Sequence, residues 1–234
     1  MTYTILGCDS ATGRVGIGIA THSIAAGGYC QVVRSGIGAI ASQAYADPRL
    51  LPVATDMLER GLSPAEVVTG LADVDPDYAF RQTAVLTPDG VAAAHTGDRT
   101  GHWSGHVIGD GYIATGNSLE GEGVVEAMAD AFESAAGSPV EDRLVAGLEA
   151  GRDAGGQVGD YYERSATLVV AETDTFPDID LRIDFHASDA VGELRSLLHV
   201  YRPYLHIYNH VRTKEPRQAV GMTYEEWNPL PPEG

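Results

Sequence analysis

Hydrophobic and polar residues alternate through the first part of the chain. In residues 2–9, Tyr3 and Ile5 fall on one face, while Thr4 and Leu6 fall on the other. Residues 9–13 are typical of a turn, and residues 14–21 form a second alternating run with two glycines on one face. This pattern predicts an antiparallel hairpin whose glycine face allows the close approach of a neighbouring element or a ligand.

Beyond the hairpin, the spacing of apolar residues switches between strand and helix periods. Residues 29–44 indicate β structure interrupted by Gly36 and Gly38, and residues 49–60 indicate a helix. Ser63, Pro64 and Glu66 predict a capping box that opens a helix to about residue 73. We expect further strands at 81–87, 90–95, 105–108, 111–116, 165–172 and 181–186, and further helices at 121–134, 139–151 and 187–201.

This order of elements predicts two sheets, each covered by helices, in one domain over residues 1–202. Residues 203–234 form a tail with little periodicity and several prolines: Pro216, Pro229, Pro231 and Pro232. We expect the tail to pack on the domain or on a partner subunit. The sheet edges and the tail together favour a homo-oligomer.

Composition narrows the classes of function. The formal net charge is −18, which disfavours binding to nucleic acids and to anionic membranes. No apolar run approaches the roughly 20 residues of a membrane span. Cys8 and Cys30 match no zinc or redox motif. We therefore expect a cytoplasmic enzyme that acts on a small-molecule substrate without a cofactor.

The start of the chain suggests a nucleophile. Thr2 is small enough for methionine aminopeptidase to remove Met1, which would leave the hydroxyl and a free α-amine on one residue. Such an amine has a pKa near 8, so at neutral pH part of it can accept the hydroxyl proton. Thr2 also opens the first strand directly, beside the glycine-rich strand of the hairpin.

Other polar residues at strand ends could complete such a site. We expect Asn117 to lie in a loop, where its amide NH₂ could stabilise an oxyanion. Gln43 could hold the substrate or the amine, and Arg81 could bind a substrate carboxylate or form a structural ion pair. His22 and His95, each at the end of a strand, are candidates for acid–base chemistry.

Two histidine pairs have the i, i+4 spacing of helical metal ligands. The glycines around His102 and His106 favour a loop there, and His206 and His210 lie in the tail, so we expect no metal site at either pair. Asp184 and its neighbours are expected to be structural residues of a strand and its turn.

Several short motifs resemble the family known as domain of unknown function 1028. They lie at residues 2–5, 9–13, 16–20, 36–39, 42–44, 47–48, 81–82, 94–97, 103–106, 116–119, 150–151, 180–186 and 193–195. The family is assigned to the N-terminal-nucleophile (Ntn) hydrolase superfamily. The resemblance implies an α+β fold, a four-layer α-β-β-α sandwich with antiparallel sheets.

The sequence departs from the family pattern in two places. Arg164 stands where relatives usually carry a glutamine, and the loop at residues 173–177 is shortened. Both changes fall where substrate specificity could be set, and Arg164 is accordingly a candidate for substrate binding.

Three functions follow from these observations. The first is hydrolysis of a small amide, cyclic amide or carbamoyl C–N bond by Thr2, with Asn117 and backbone N–H groups holding the oxyanion. The second is a general acid–base enzyme that uses His22 or His95 and keeps Met1. The third is a non-catalytic binding or assembly protein.

Overall fold

The computed structural model describes residues 1–229 of the chain. Residues 230–234, which include two prolines of the predicted tail, lie outside the described residues. The fold is a mixed α/β fold with two antiparallel sheets and helices. No helix within residues 1–229 is both long and apolar enough to cross a membrane.

The first sheet has six strands in the order β10-β9-β2-β1-β8-β7, so the N-terminal strand lies in its interior. Its strands are β1 (Thr2–Asp9), β2 (Arg14–Thr21), β7 (Trp103–Gly109), β8 (Tyr112–Leu119), β9 (Ser165–Ala171) and β10 (Ile179–Ile183). The predicted hairpin is confirmed, since β1 pairs with β2 from Thr2 opposite Thr21 to Asp9 opposite Arg14.

The second sheet has four strands in the order β3-β4-β5-β6. They are β3 (Gln31–Arg34), β4 (Gly38–Ala44), β5 (Arg81–Leu86) and β6 (Ala92–Thr96). The principal helices are α1 (Leu50–Glu59), α2 (Pro64–Val74), α3 (Glu122–Ser134), α4 (Val140–Asp153) and α5 (Ala190–Tyr201). The predicted capping box is present at the start of α2, with Ser63 and Glu66 exchanging hydrogen bonds.

Three apolar clusters hold these elements together. One lies between the first sheet and helices α3, α4 and α5, and another between the second sheet and helices α1 and α2. The third joins the facing sides of the two sheets. Burial of apolar area at about 25 cal/mol per Å² makes these clusters the main stabilising contribution to the fold.

The glycine face of the hairpin is covered by helix α4, which is the neighbouring element that the sequence pattern allowed. A Cβ built on Gly16 would lie 2.9 Å from Leu144 Cδ1, and one on Gly147 would lie 2.7 Å from Ile5 Cδ1. Since carbon atoms pack at about 3.5–4.0 Å, larger side chains at either glycine would force the helix away from the sheet.

Several predicted boundaries are wrong. Strand β8 continues through Asn117 to Leu119, because Asn117 pairs with β1 and β7 on either side. Strand β7 begins at Trp103, two residues before the strand predicted at 105–108, so the loop expected around His102 and His106 ends before Trp103. Helix α5 begins at Ala190, three residues later than expected, because the carboxylate of Asp189 caps it at the backbone N–H of Gly192.

The described part of the tail contains short helical turns, including a π-helical segment at Ile207–Val211. Ile207 and Val211 are buried. Asn209 donates a hydrogen bond from Nδ2 to the carbonyl of Asp178 over 2.7 Å, and Lys214 Nζ lies 2.7 Å from Asp174 Oδ2. These contacts place residues 202–214 against the end of the first sheet.

Candidate functional site

A row of polar side chains crosses the first sheet at the level of Thr2, on the face that looks toward the second sheet. The strand register brings five residues side by side: Ser165, Thr21, Thr2, Asn117 and Ser104. All except Ser104 are buried. None of the five side chains is charged.

The next row along the same face is still partly polar, with buried Thr167, Thr4 and Thr115 beside Ile19, and beyond it the space between the sheets is apolar. Four residues after Thr2 on β1, the row on the same face consists of Val169, Ile17, Leu6 and Ile113. Burying hydroxyl and amide groups costs free energy unless each group finds a hydrogen-bond partner. This polar end of the layer is therefore a candidate functional site, because packing alone does not call for it.

The residue that precedes Thr2 is held by two members of the row. The Met1 amine donates a hydrogen bond to Asn117 Oδ1 over 2.9 Å, and Thr21 Oγ1 donates one to the Met1 carbonyl oxygen over 2.6 Å. Burial lowers the pKa of the Met1 amine. Thr2 itself is 7% exposed with Met1 in place.

The hydroxyl of Thr21 also lies next to the predicted nucleophile, 3.1 Å from Thr2 Oγ1. A hydroxyl carries one proton, and that of Thr21 is donated to the Met1 carbonyl. Thr21 Oγ1 can therefore only accept a hydrogen bond from Thr2. No sequence motif singles out Thr21, although an antiparallel hairpin of residues 2–9 and 14–21 joined by a short turn places it opposite Thr2.

A chain of carboxamides connects this row to the second sheet. Gln82 Nε2 donates toward Thr96 Oγ1 and the backbone carbonyls of Gly105 and Gly116, at 2.8–3.1 Å. Gln82 Oε1 then accepts hydrogen bonds from Gln43 Nε2 at 2.8 Å and Asn117 Nδ2 at 3.1 Å. Gln82 is fully buried and was also missed as a site residue.

This network fixes which way the Asn117 amide faces. Backbone carbonyls can only accept, so the nitrogen of Gln82 must face Gly105 and Gly116, and its oxygen must face Asn117. Asn117 consequently directs Nδ2 to Gln82 and Oδ1 to the N-terminal amine. Asn117, which was expected to donate to an oxyanion, therefore already donates one hydrogen bond to Gln82, and its Oδ1 faces residue 1.

Gln43 is buried in the same network and does not reach solvent. Its Oε1 accepts a hydrogen bond from Thr4 Oγ1 over 2.6 Å, and its Nε2 donates to Gln82. Since both ends of the carboxamide are engaged inside the protein, Gln43 holds the site in shape, and the substrate contact expected for it is not available in this arrangement.

His22 and Arg164 lie together beside the site. His22 Nδ1 is 2.9 Å from the carbonyl oxygen of Tyr162, and Arg164 Nε donates to the carbonyl oxygen of His22 over 2.7 Å. The backbone of Arg164 also donates to Thr21 over 2.9 Å. This cluster holds residues 157–164 against the end of β2.

His95 lies on the other face of the second sheet. Thr96, the next residue, points toward the first sheet, so His95 points away from it. Its ring stacks on Tyr78 with centroids 4.1 Å apart, and Nε2 is 3.2 Å from the Tyr78 carbonyl oxygen. The structure therefore does not bring His95 to Thr2 or to His22.

Arg81 forms a structural ion pair, which was one of the two roles expected for it from the sequence. Arg81 Nε lies 2.7 Å from Asp75 Oδ2, and Nη2 lies 3.8 Å from Asp47 Oδ2. Hydrogen bonds from Arg49 hold the pKa of Asp47 at about 2, and the Arg81 side chain lowers the pKa of Asp75. With these partners, Arg81 has little capacity left for a substrate carboxylate.

The histidine pairs do not form a metal site in the described residues. No group of three metal-ligating side chains lies together anywhere in residues 1–229. His106 Nδ1 is instead 2.9 Å from Thr96 Oγ1, and His206 stacks on His210. Asp184 pairs with Arg182, in line with the structural role expected for it.

A second nucleophile near the N-terminus is unreactive by its environment. Cys30 is buried at the start of β3, and burial raises the pKa of its thiol to about 12. The thiolate is the nucleophilic form of cysteine, so this residue remains a protonated packing group at neutral pH.

Comparisons with known proteins agree on one family. The family model of DUF1028, described as a family of unknown function, matches residues 2–194. A crystal structure of a DUF1028 protein from Silicibacter pomeroyi is similar to this chain, with 30% sequence identity and a TM-score of 0.77. The similarity covers 93% of this chain and 92% of that one. No curated protein matches the chain. The chain belongs to the DUF1028 family, whose function is unknown.

Proposed function

We propose that this protein is an amide hydrolase of the Ntn type, with Thr2 as the nucleophile after Met1 is removed. The observation that carries the proposal is the position of Thr2. It begins an interior strand of the first sheet, and its hydroxyl lies in the buried polar row, 3.1 Å from Thr21 Oγ1. An N-terminal hydroxyl residue fixed in this way has its base, the α-amine, on the same residue.

The arrangement of the core supports the same assignment. Apolar clusters lie between α3–α5 and the first sheet, between the two sheets, and between the second sheet and α1–α2. We take this stacking to be a four-layer α-β-β-α sandwich of the Ntn-hydrolase type. Because a fold does not fix a function, the residues around Thr2 carry more weight than the architecture.

The proposed reaction proceeds through an ester. The Thr2 hydroxyl attacks the amide carbon, and its proton passes to the Thr2 α-amine. That amine then protonates the leaving nitrogen as the C–N bond breaks. Water hydrolyses the ester and restores the free hydroxyl.

Thr21 is the residue best placed to stabilise the developing oxyanion. Its hydroxyl donates to the carbonyl oxygen of residue 1, which is bonded to the nitrogen of Thr2. A substrate carbonyl attacked by Thr2 Oγ1 would bring its oxygen within reach of this hydroxyl, because Thr21 Oγ1 lies 3.1 Å from Thr2 Oγ1. Loss of one such donor typically costs about 2.7 to 4 kcal/mol of transition-state stabilisation.

Retained Met1 would block this chemistry in two ways. Its peptide bond removes the free amine of Thr2, and its contacts with Asn117 and Thr21 occupy the space beside the hydroxyl. We therefore expect activity only in molecules that begin at Thr2.

The test is turnover of a panel of small amides, cyclic amides and carbamoyl compounds, followed by release of ammonia or amine. Any activity found should disappear in Thr2→Ala and persist in Thr2→Ser, which keeps a hydroxyl. Both variants leave a small residue at position 2, so Met1 is processed in the same way. Equal turnover by Thr2→Ala and the native protein would contradict the proposal and favour a site elsewhere in the fold.

A further inference from the structure

The last part of the described chain is an arm that is not packed into its own domain. The arm comprises residues 215–228 and contains two short helices, Pro216–Ala219 and Tyr224–Trp227. Within residues 1–229, each hydrogen bond and ion pair of the arm ends on a residue between 210 and 228. The three apolar clusters of the described chain contain no residue of the arm.

The arm is nevertheless folded, and it exposes two large apolar side chains. A capping box begins its second helix, and Trp227 Nε1 donates to the Ala219 carbonyl over 3.2 Å. Val220 is 89% exposed and Tyr224 is 78% exposed, the two highest values among the large hydrophobic side chains of residues 1–229. Isolated helices shorter than about 12–15 residues are marginal in water, so helices this short depend on packing against another surface.

A tyrosine cluster on the helical segment before the arm offers such a surface. The ring centroids of Tyr201 and Tyr204 lie 5.9 and 5.3 Å from that of Tyr208, and all three side chains are partly exposed. Tyr201 packs against the core of the first sheet, which anchors the cluster to the domain. The arm of the same chain leaves its own apolar pair, Val220 and Tyr224, uncovered.

The charges beside the two surfaces are complementary. The exposed Arg212 guanidinium lies over the Tyr208 ring, 4.5 Å from its centroid, and among residues 1–229 no carboxylate is within 4 Å of it. Glu225, next to Tyr224 in the arm, is exposed and likewise has no cationic partner in the described chain. Because the chain has a net charge of −18, two copies repel over most of their surfaces. A contact between copies is therefore favoured where a cation of one meets a carboxylate of the other.

We propose that two copies of this chain exchange their C-terminal arms. The apolar pair of each arm packs on the tyrosine cluster of the other subunit, and Glu225 of the arm pairs with Arg212 beside that cluster. The contact is symmetric, because each subunit contributes one arm and one cluster. Exchange in both directions doubles the contact area, and a single arm is shorter than the roughly 20–30 residues a side of a stable interface.

The first experiment measures the mass of the full, untagged chain in solution by sedimentation equilibrium. We expect a dimer of 24.7 kDa chains, and a monomer when the chain is ended after Lys214. Val220→Glu should raise the dimer Kd at least about 100-fold, because apolar burial is lost at two equivalent contacts. Val91→Glu is the matched control, since Val91 is 49% exposed on the domain and lies outside the arm. It should leave the Kd unchanged.

The second experiment tests the charge pair by mixing two variants. Arg212→Glu and Glu225→Arg each place like charges at both contacts of a dimer, so each variant alone should dimerise at least about tenfold more weakly. In an equimolar mixture, a dimer with one chain of each kind has opposite charges at both contacts. We expect the mixture to recover the native Kd, which a contact within one chain cannot produce.

A monomeric native protein would overturn the proposal. A dimer that survives both the removal of the arm and Val220→Glu would do the same, because it would form through another surface. Assemblies larger than a dimer would reject the reciprocal exchange, and a mixture no tighter than its components would reject the charge pair. Circular dichroism checks that each variant is folded, and the mixing experiment decides if the shortened chain is not.

Discussion

Substitution of Gln82 by leucine should cost a large part of the stability of the fold. Leucine has nearly the same volume but removes both ends of the carboxamide. The change strands two buried donors, Asn117 Nδ2 and Gln43 Nε2, and one acceptor, the Gly116 carbonyl. Each stranded buried group costs about 1–3 kcal/mol, so the three groups together should cost about 3 to 9 kcal/mol. Natural domains have only about 5–15 kcal/mol in total.

Gln31→Leu provides a matched control in the same sheet. Gln31 is half-buried in β3, its Nε2 donates one hydrogen bond to the Gly27 carbonyl over 3.1 Å, and its buried Oε1 has no partner. Removing this side chain breaks one hydrogen bond and relieves one stranded acceptor. We expect a change of about 1 kcal/mol or less.

The assay is equilibrium unfolding in guanidinium chloride, followed by the fluorescence of Trp103 and Trp227. The free energy of unfolding is compared between the two variants and the native protein at neutral pH. A loss below about 1 kcal/mol for Gln82→Leu, or a loss equal to that of Gln31→Leu, would refute the reasoning. It would mean that Gln82 does not hold the amide network together, and the orientation assigned to Asn117 would lose its basis.

Three further outcomes follow. Thr21→Val, which keeps the shape but removes the hydroxyl, should lower kcat/KM for any amide substrate by roughly 100- to 1000-fold, and a loss below tenfold would reject Thr21 as the oxyanion donor. His95→Phe keeps the stacking on Tyr78 and should leave kcat/KM within about twofold of the native value. A large loss of kcat/KM would instead support an acid–base mechanism that uses His95. Asp47 has a pKa of about 2, below its unfolded value of about 3.9, so its stabilising effect is present above pH 4 and is lost as the pH falls through 2. Asp47→Asn should therefore destabilise the protein by about 1–2 kcal/mol at pH 7, a figure reduced for the exposure of Arg49, and much less near pH 2, as measured by urea unfolding; an equal loss at both pH values would contradict it.

Much of the fold follows from local sequence signals. Alternation in residues 2–21 gives the hairpin, and Ser63, Pro64 and Glu66 give the start of α2 with its capping box. The glycines of β2 correctly indicated a close approach, and the approaching element proved to be α4. The hairpin and the capping box depend on residues that are close in the sequence, so one sequence is enough to predict them.

The site was only partly predictable, because its hydrogen bonds join residues that are far apart in the sequence. Thr2 and Asn117 stand out in the sequence by position and residue type, but their roles depend on pairing across the sheet. Asn117 faces the amine with its oxygen because Gln82, 35 residues earlier in the chain, fixes its amide. His95 looked equally suitable, yet one step of strand alternation turns it to the far side of the second sheet.

The central claim is that Thr2 becomes the N-terminal residue and acts as the nucleophile. It is tested most directly by the intact mass of untagged protein before and after treatment with a β-lactone probe that acylates hydroxyl groups. We expect the protein to lack one methionine and to gain one adduct, which peptide mapping assigns to Thr2 and which Thr2→Ala abolishes. Retained Met1 with no adduct on Thr2 would contradict the account.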